Sequence, residues 1–137
     1  MAYTGAKEIH YQYKGIKYHT KKKELVEYTD IKVDGKYYRS LFGKTDEFLG
    51  TIKVGDKVFN YSNTPMKFNE YKMTSIEEAN GHYGMIYIND MFKKITIDVH
   101  MNKGNGVYSS SNWLISGPCI NRKEAVSISD YLIRNVK

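Results

Sequence analysis

The sequence predicts a mostly β domain of the α+β class, in which antiparallel hairpins form a twisted sheet or half-open small barrel. Three observations predict this class. Short β-rich runs with alternating apolar residues recur along the chain, glycine-containing dipeptides that favour two-residue turns separate several of them, and one amphipathic helical pattern closes the chain. Because one face of such a sheet has to be buried, we expect the helix to pack on it.

The clearest strand covers Ile95–Met101, where apolar and polar residues alternate. One face carries Ile95, Ile97, Val99 and Met101, and the other carries Thr96, Asp98 and His100. A period of two over seven residues indicates a strand with one buried face. Met85–Ile88 and Val107–Ser116 are also β-rich, so we expect three neighbouring strands before the helix.

The chain before this region divides into hairpins at dipeptides that contain glycine. The first hairpin is predicted over Glu8–Thr20, with a turn at Lys14-Gly15. This register gathers the apolar residues on one face and places His10 opposite His19 on the polar face.

A second hairpin is predicted around Asp34-Gly35, a dipeptide that favours a two-residue turn. It joins Glu24–Val33 to Lys36–Phe42. In that register Asp30 faces Arg39 across the two strands, which is a favourable pair of charges.

A third hairpin is predicted to join Thr51–Val54 to Lys57–Tyr61 through Gly55-Asp56. A glycine at the first position of the loop suits a type II′ turn. With this turn, Ile52 lies opposite Phe59.

The next segment contains a break, a strand and a short helix. Pro65 cannot lie in a central strand because it lacks a backbone N–H. Met66–Met73 is predicted as one more strand with Met66, Phe68 and Tyr71 turned inward, and Ile76–Ala79 is predicted as a short helix.

The closing helix is predicted over residues 121–136. Asn121 is a suitable N-cap and Glu124 follows three residues later, a spacing that resembles a capping box. The apolar stripe of this helix consists of Ala125, Ile128, Leu132 and Val136.

Length and composition indicate one domain over residues 1–137, with residues 1–7 as a loose leader. A chain of 137 residues can bury enough surface to fold without disulfides or metal. Cys119 is the single cysteine, and no apolar run approaches the length of a membrane span. We therefore expect a cytoplasmic protein that has no cofactor, contacts no membrane and keeps Cys119 as a small buried residue.

Positive charge is concentrated at the N-terminus. The chain carries a net charge of +6, and residues 1–23 hold six lysines and one acid. Such a segment favours an anionic partner, either nucleic acid or an acidic protein surface. The lysines expected to bind it are Lys14, Lys17, Lys21, Lys22 and Lys23. Tyr11, Tyr13 and Tyr18 alternate with these lysines but share a face with isoleucines, so we expect them in the core rather than stacked on bases.

Histidines offer a weaker alternative. His10 and His19, or His100 beside Asp98, would supply the acid and base of a small metal-independent ribonuclease. Cys119 and His82 complete the set of metal-ligating types, but their spacing brings no ligands together, so no metal site is predicted.

A third candidate site lies at the start of the closing helix. Asn121, Arg122 and Lys123 combine free backbone N–H groups with two cations, a combination that suits a phosphate-bearing ligand. The sequence has no glycine-rich phosphate loop there, and it shows no nucleophile elbow elsewhere.

The favoured hypothesis is a non-enzymatic binding protein whose basic N-terminal hairpin docks on nucleic acid or on a nucleic-acid-handling protein complex. We expect it to serve a phage or mobile element as an accessory protein or as an inhibitor of host machinery. An exposed hairpin edge would also allow a homodimer.

Overall fold

The structure, a computed structural model, describes residues 5–42 and 45–134. This part of the chain forms eight strands and one helix. Their bounds are β1 Lys7–His19, β2 Val26–Tyr38, β3 Asp46–Val54, β4 Lys57–Phe68, β5 Met73–Glu78, β6 Gly81–Asn89, β7 Lys94–Gly104, β8 Val107–Gly117 and α1 Arg122–Arg134.

All eight strands belong to one antiparallel sheet with the order β4-β3-β2-β1-β8-β7-β6-β5. The two ends of this order meet in space. Lys57 on β4 pairs with Glu78 on β5, and the Tyr61 hydroxyl accepts the backbone N–H of Glu77 at 2.9 Å. The sheet is therefore a nearly closed barrel, as the predicted fold class expected.

Side chains fill the interior of this barrel. An eight-stranded barrel is just wide enough for its inward side chains to occupy the centre. Fully buried aromatic and branched residues do so here, among them Phe48, Phe59, Phe68, Phe92, Ile52, Ile86 and Ile97. These side chains pack against one another in the centre of the barrel.

Phe92 closes one end of the barrel. It follows two other residues with left-handed backbone, Asp90 and Met91, in the turn between β6 and β7. The Tyr13 hydroxyl donates to the Phe92 carbonyl at 2.9 Å and holds this turn against β1. The turn therefore directs one aromatic ring into the core.

The helix covers the outside of the sheet, as predicted. Asn121 accepts the backbone N–H of Glu124 at 2.9 Å, and Glu124 accepts that of Ile120 at 3.0 Å. The predicted stripe is buried at Ala125, Ile128 and Leu132, whereas Val136 lies outside the described residues. This stripe packs on Ile16, Tyr18 and Cys119 in a second core.

The predicted turn at Lys14-Gly15 is wrong, because β1 runs through it without a break. At Gly15 the apolar residues change from the inner to the outer face of the sheet, and a Cβ atom there would lie 3.0 Å from the Ser116 carbonyl oxygen. Glycine is needed at this position for close packing of the chains rather than for a turn.

The predicted turn at Asp34-Gly35 is wrong for a related reason. Gly35 lies inside β2 and pairs with Gly50 on β3, where a Cβ atom would collide with the Leu49 carbonyl oxygen. Because β2 continues, Asp30 does not face Arg39. It pairs with Lys14 at 2.8 Å instead.

The hairpin at Gly55-Asp56 is confirmed. β3 and β4 pair with Ile52 opposite Phe59, as predicted. Gly55 has a φ of 59°, a left-handed conformation that glycine adopts without strain.

The predicted short helix over Ile76–Ala79 is wrong, because residues up to Glu78 form strand β5. The predicted strand over Met66–Met73 is wrong, because β4 ends at Phe68 and a turn precedes β5. Met66 and Phe68 point inward as predicted, whereas Tyr71 lies in that turn and is 48% exposed. Pro65 lies within β4, which occupies the end of the strand order, where a missing N–H is tolerated.

The predicted leader ends near the start of β1 at Lys7, and residues 1–4 lie outside the described residues. Within residues 5–42 and 45–134, no helix is long and apolar enough to cross a membrane.

Asp46 is a buried carboxylate that joins three segments. It is 1% exposed and accepts from the Tyr37 hydroxyl at 2.7 Å, the Ser40 backbone N–H at 2.9 Å and Lys72 Nζ at 3.1 Å. Burial alone would raise the pKa of Asp46, but these three donors outweigh it and lower the pKa.

We expect Asp46→Asn to lower the free energy of unfolding by about 2 kcal/mol at pH 7, because an amide cannot replace the charged hydrogen bonds. A lowered carboxyl pKa stabilises the fold above the unfolded-state value of about 3.9 and loses this effect as the pH falls. The difference between wild type and variant, measured by urea unfolding, should therefore shrink toward pH 2. The exposed Asp56→Asn serves as the control, and a pH-independent difference would contradict the assignment.

Candidate nucleic-acid interface

The loop between β1 and β2, residues 20–25, carries three consecutive exposed lysines, Lys21, Lys22 and Lys23. We call it the basic turn. His19 Nδ1 accepts the backbone N–H groups of Lys21 and Lys22 at 3.1 and 3.2 Å, and Leu25 N–H donates to the Lys22 carbonyl at 3.1 Å. The backbone of the basic turn is therefore fixed while its cationic side chains extend into solvent.

The basic turn holds three lysines against one acid, Glu24, so it keeps a net positive charge. Within residues 5–42 and 45–134, none of its three lysines lies in an ion pair, whereas Lys14 is paired with Asp30 at 2.8 Å. The predicted set of five lysines is thus divided, because the continuous strand β1 carries Lys14 away from the basic turn and next to an acid on β2.

Lys17 lies near the basic turn, at the mouth of the barrel. Its Nζ is 5.4 Å from the centre of the Trp113 ring. It also lines an open cavity of about 320 Å³ together with Glu27, Lys57 and Tyr83. Lys17 therefore adds a cation beside an aromatic ring at the same end of the molecule.

The structure separates core tyrosines from exposed aromatic rings. Tyr18 is buried against the helix, and Tyr11 and Tyr13 pack on the barrel core, as predicted. Tyr28 on β2, which the sequence analysis passed over, is 76% exposed and lines the same cavity as Lys17. Trp113 on β8 is half-buried and meets the His19 ring edge-on at 5.3 Å.

The start of α1 brings two of its three predicted anion ligands, Asn121 and Lys123, to one open pocket. Arg122 turns toward β1, where its Nη2 donates to the His19 carbonyl at 3.2 Å and its guanidinium lies 5.2 Å from the Tyr18 ring centre. The pocket that Lys123 shares with Asn121 has a volume of about 560 Å³ and is also lined by Lys94 and Glu124. Asn121 uses its side-chain oxygen as the helix cap. A phosphate site at these residues stays a prediction.

The expected opposition of His10 and His19 is wrong, since both belong to the uninterrupted strand β1 and are about 30 Å apart at the usual rise per residue. His10 lies opposite Asp34, 3.0 Å from its carboxylate, and this hydrogen bond raises the pKa of His10. His19 supports the basic turn instead. The hydrolase hypothesis therefore cannot use these two as a pair.

A polar cluster that sequence reasoning missed surrounds His100. His82 Nε2 lies 2.9 Å from His100 Nδ1, and the outer nitrogens face two carboxylates. His82 Nδ1 is 3.0 Å from Glu77 Oε2, and His100 Nε2 is 3.6 Å from Asp98 Oδ2. Ser110 donates to Asp98 at 3.1 Å. We call these residues the histidine cluster; they come from strands β5, β6, β7 and β8.

The two histidines touch each other directly and leave no gap between them for a scissile phosphate. In the described part of the chain, no three His, Cys, Asp or Glu side chains are grouped to hold a metal ion. Cys119 is buried, and burial raises the pKa of its thiol to about 11, which agrees with a packing role.

No family model, curated protein or solved structure matches this chain.

Proposed function

We propose that this chain is a non-enzymatic binding protein that engages single-stranded nucleic acid, free or within a nucleoprotein complex, through the basic turn. One observation carries the proposal. Three exposed lysines stand on a hydrogen-bonded turn, at the end of the barrel that also carries Lys17, the exposed ring of Tyr28 and the half-buried ring of Trp113.

Each part of this surface matches a need of the ligand. Lysines neutralise phosphates and release counterions, and exposed rings stack on bases without selecting a sequence. A turn that is already ordered loses little backbone entropy on binding. Exposed Tyr28 favours nucleic acid over an acidic protein, because unpaired bases offer flat faces for a tyrosine ring.

The filled barrel supports the same proposal. Closed eight-stranded barrels that carry small ligands hold them in the centre, but here side chains such as Phe48 and Phe59 occupy it. A macromolecule that binds at the barrel end needs no such cavity.

We expect the triple variant Lys21→Gln, Lys22→Gln, Lys23→Gln to bind a fluorescent single-stranded oligonucleotide about 10- to 100-fold more weakly at low salt. The slope of its log affinity against log salt concentration should be less steep by about 2, because three phosphate contacts are lost and each contributes about 0.7. Fluorescence anisotropy of DNA and RNA oligonucleotides measures both quantities.

The matched control removes the same charge from another face, through Lys36→Gln, Lys53→Gln and Lys67→Gln on β2, β3 and β4. The affinity of this control variant for the oligonucleotide should fall less than threefold. Equal losses in the two variants would mean that only net charge matters and would contradict the proposed site.

A role as an accessory protein or inhibitor from a phage or mobile element would follow if the nucleic acid belongs to a protein complex. Affinity capture from a host-cell lysate with the intact chain, before and after nuclease treatment, distinguishes a nucleic-acid partner from a protein partner. Loss of the captured material on nuclease treatment supports nucleic acid. A protein that survives the treatment and depends on Lys21–Lys23 would replace the proposal with an acidic protein partner.

A further inference from the structure

The cavity at the mouth of the barrel, lined by Lys17, Glu27 and Lys57, has polar sides, and we call it the cup. Side chains alternate along a strand, so Glu27 on β2 faces the same side as buried Ile31. After the change of face at Gly15, Lys17 on β1 also faces inward. The end of β1 and the start of β2, which the basic turn connects, therefore continue the lining of the barrel with charged groups.

The floor of the cup is formed by core residues. Val54, Tyr83 and Ile115 line it and are 7, 8 and 2% exposed. Lys57 on β4 stands over this floor, with its Nζ 5.3 Å from the centre of the Tyr83 ring. The cavity of about 320 Å³ lies at the lower end of the roughly 300–1,000 Å³ typical of small-molecule sites, so it suits one flat ring.

Glu27 presents an unpaired carboxylate at the side of the cup. Lys17 lies directly opposite it in the pairing of β1 with β2. Within residues 5–42 and 45–134, however, Glu27 forms no ion pair, and Lys17 lies over the Trp113 ring instead. Burial, Glu78 and Glu27 together raise the pKa of Tyr83 to about 12, so the charge of Glu27 reaches the floor. An acceptor and a cationic donor thus stand side by side above an apolar surface.

We propose that the cup takes one unpaired nucleobase of the strand bound at the basic turn, and that it prefers guanine. This inference rests on the proposed function, because the lysines of the basic turn hold the phosphates that bring the base to the mouth. The ring of the base lies on the apolar floor, and its hydrogen-bonding edge faces Glu27 and Lys17. Binding forms and breaks no covalent bond.

The preference for guanine follows from the donors and acceptors of the cup. A carboxylate only accepts hydrogen bonds, and guanine has two adjacent donors, N1–H and N2–H, that one carboxylate accepts together. Beside them guanine carries the acceptor O6, which suits the Lys17 cation. Adenine and cytosine offer Glu27 a single amino group, and thymine offers a single ring N–H.

The remaining charges keep phosphates out of the cup. Lys57 is already paired with Glu78 at the seam of the barrel. Asp56, in the exposed turn between β3 and β4, adds a second carboxylate beside Glu27 to the lining. Two carboxylates repel a phosphate, so the backbone of the strand stays on the basic turn and only a base enters.

The test compares a short dT oligonucleotide with the same oligonucleotide carrying one central dG, by fluorescence anisotropy with the intact chain at one low salt concentration. We expect the dG strand to bind about 5- to 20-fold more tightly. Glu27→Gln should reduce this ratio to below about twofold, because the amide NH₂ opposes one of the two guanine donors. The ratio cancels the gain in affinity for both strands that follows from removing a negative charge.

Glu24→Gln is the matched control, since it removes the same charge from the basic turn outside the cup, and it should keep the preference for dG. Equal binding of the two strands by the wild type, or a preference that survives Glu27→Gln, would overturn the guanine site and leave binding at the basic turn intact. If neither strand binds, the proposed function itself fails and the guanine site with it.

NMR of the floor residues locates the base. Saturation with the dG strand should shift the methyl signals of Val54 and Ile115 and the ring signals of Tyr83, through the ring current of the inserted base. The dT strand should shift them less. Unchanged floor signals in the saturated dG complex would also overturn the proposal, even where the basic turn responds.

Discussion

Phe92→Ala is expected to lower the free energy of unfolding by about 3–5 kcal/mol, as measured by urea denaturation. The Phe92 side chain is 0% exposed, and its ring centre lies 4.8 Å from that of Phe48 and 5.7 Å from that of Phe68. Truncation removes these contacts and leaves a cavity that the surrounding strands cannot collapse to fill.

Phe42→Ala is the matched control for Phe92→Ala. Phe42 lies in the loop after β2 and is 74% exposed, so we expect a change within about 0.5 kcal/mol. Similar effects of the two substitutions would contradict the conclusion that the buried Phe92 ring closes one end of the barrel. The comparison holds only if both variants keep the wild-type slope of unfolding free energy against urea concentration, because a changed slope indicates a changed unfolded or native state.

Gly35→Ala is expected to lower the free energy of unfolding by about 3 kcal/mol or to prevent folding, because β2 and β3 pair so closely at this point that a methyl group has no room. A Cβ atom on Gly35 would collide with the Leu49 carbonyl oxygen and lie 2.8 Å from the Gly50 Cα atom. Both neighbours are backbone atoms, so they cannot rotate away as a side chain would.

The control for this substitution is Gly5→Ala, since a Cβ atom on Gly5 has no neighbour within 4 Å. Thermal and urea unfolding should show it to be near wild type. If Gly35→Ala were equally harmless, the continuous strand β2 and its pairing with β3 would be wrong, and a turn at Asp34-Gly35 would regain support.

Glycine explains both the successes and the failures of hairpin prediction in this chain. Gly55 adopts a left-handed turn, so the local sequence indicated the right structure there. Gly15 and Gly35 lie in extended strands and are required because another strand packs against them. A single sequence cannot distinguish a glycine in a turn from a glycine in a closely packed strand, because the strand that packs against the latter is far away along the chain.

Local patterns were sufficient to predict the last three strands and the helix. Strands β6, β7 and β8 follow from β-rich runs, and helix α1 follows from its apolar stripe and the Asn121 cap. Burial in β7 does not alternate, because Ile95, Thr96 and Ile97 are all buried. The predicted helix over Ile76–Ala79 failed because a strand at the barrel seam needs few apolar residues, and Ile76 is its only fully buried member.

The candidate sites were harder to predict than the strands and the helix, because they depend on how the strands pair. The lysines at 21–23 were identified from their run in the sequence, but the ion pair of Lys14 with Asp30 arises only from the pairing of β1 with β2. The histidine cluster requires two bulges in addition to strand order, and no short motif encodes it.

The most direct test of the proposed interface is amide NMR of the intact chain during titration with a single-stranded oligonucleotide. We predict the largest chemical-shift changes in the basic turn and around Tyr28 and Trp113, with saturation and a reversal at high salt. Shifts confined to the outer face of β2, β3 and β4, or no shifts at low salt with either DNA or RNA, would contradict the account.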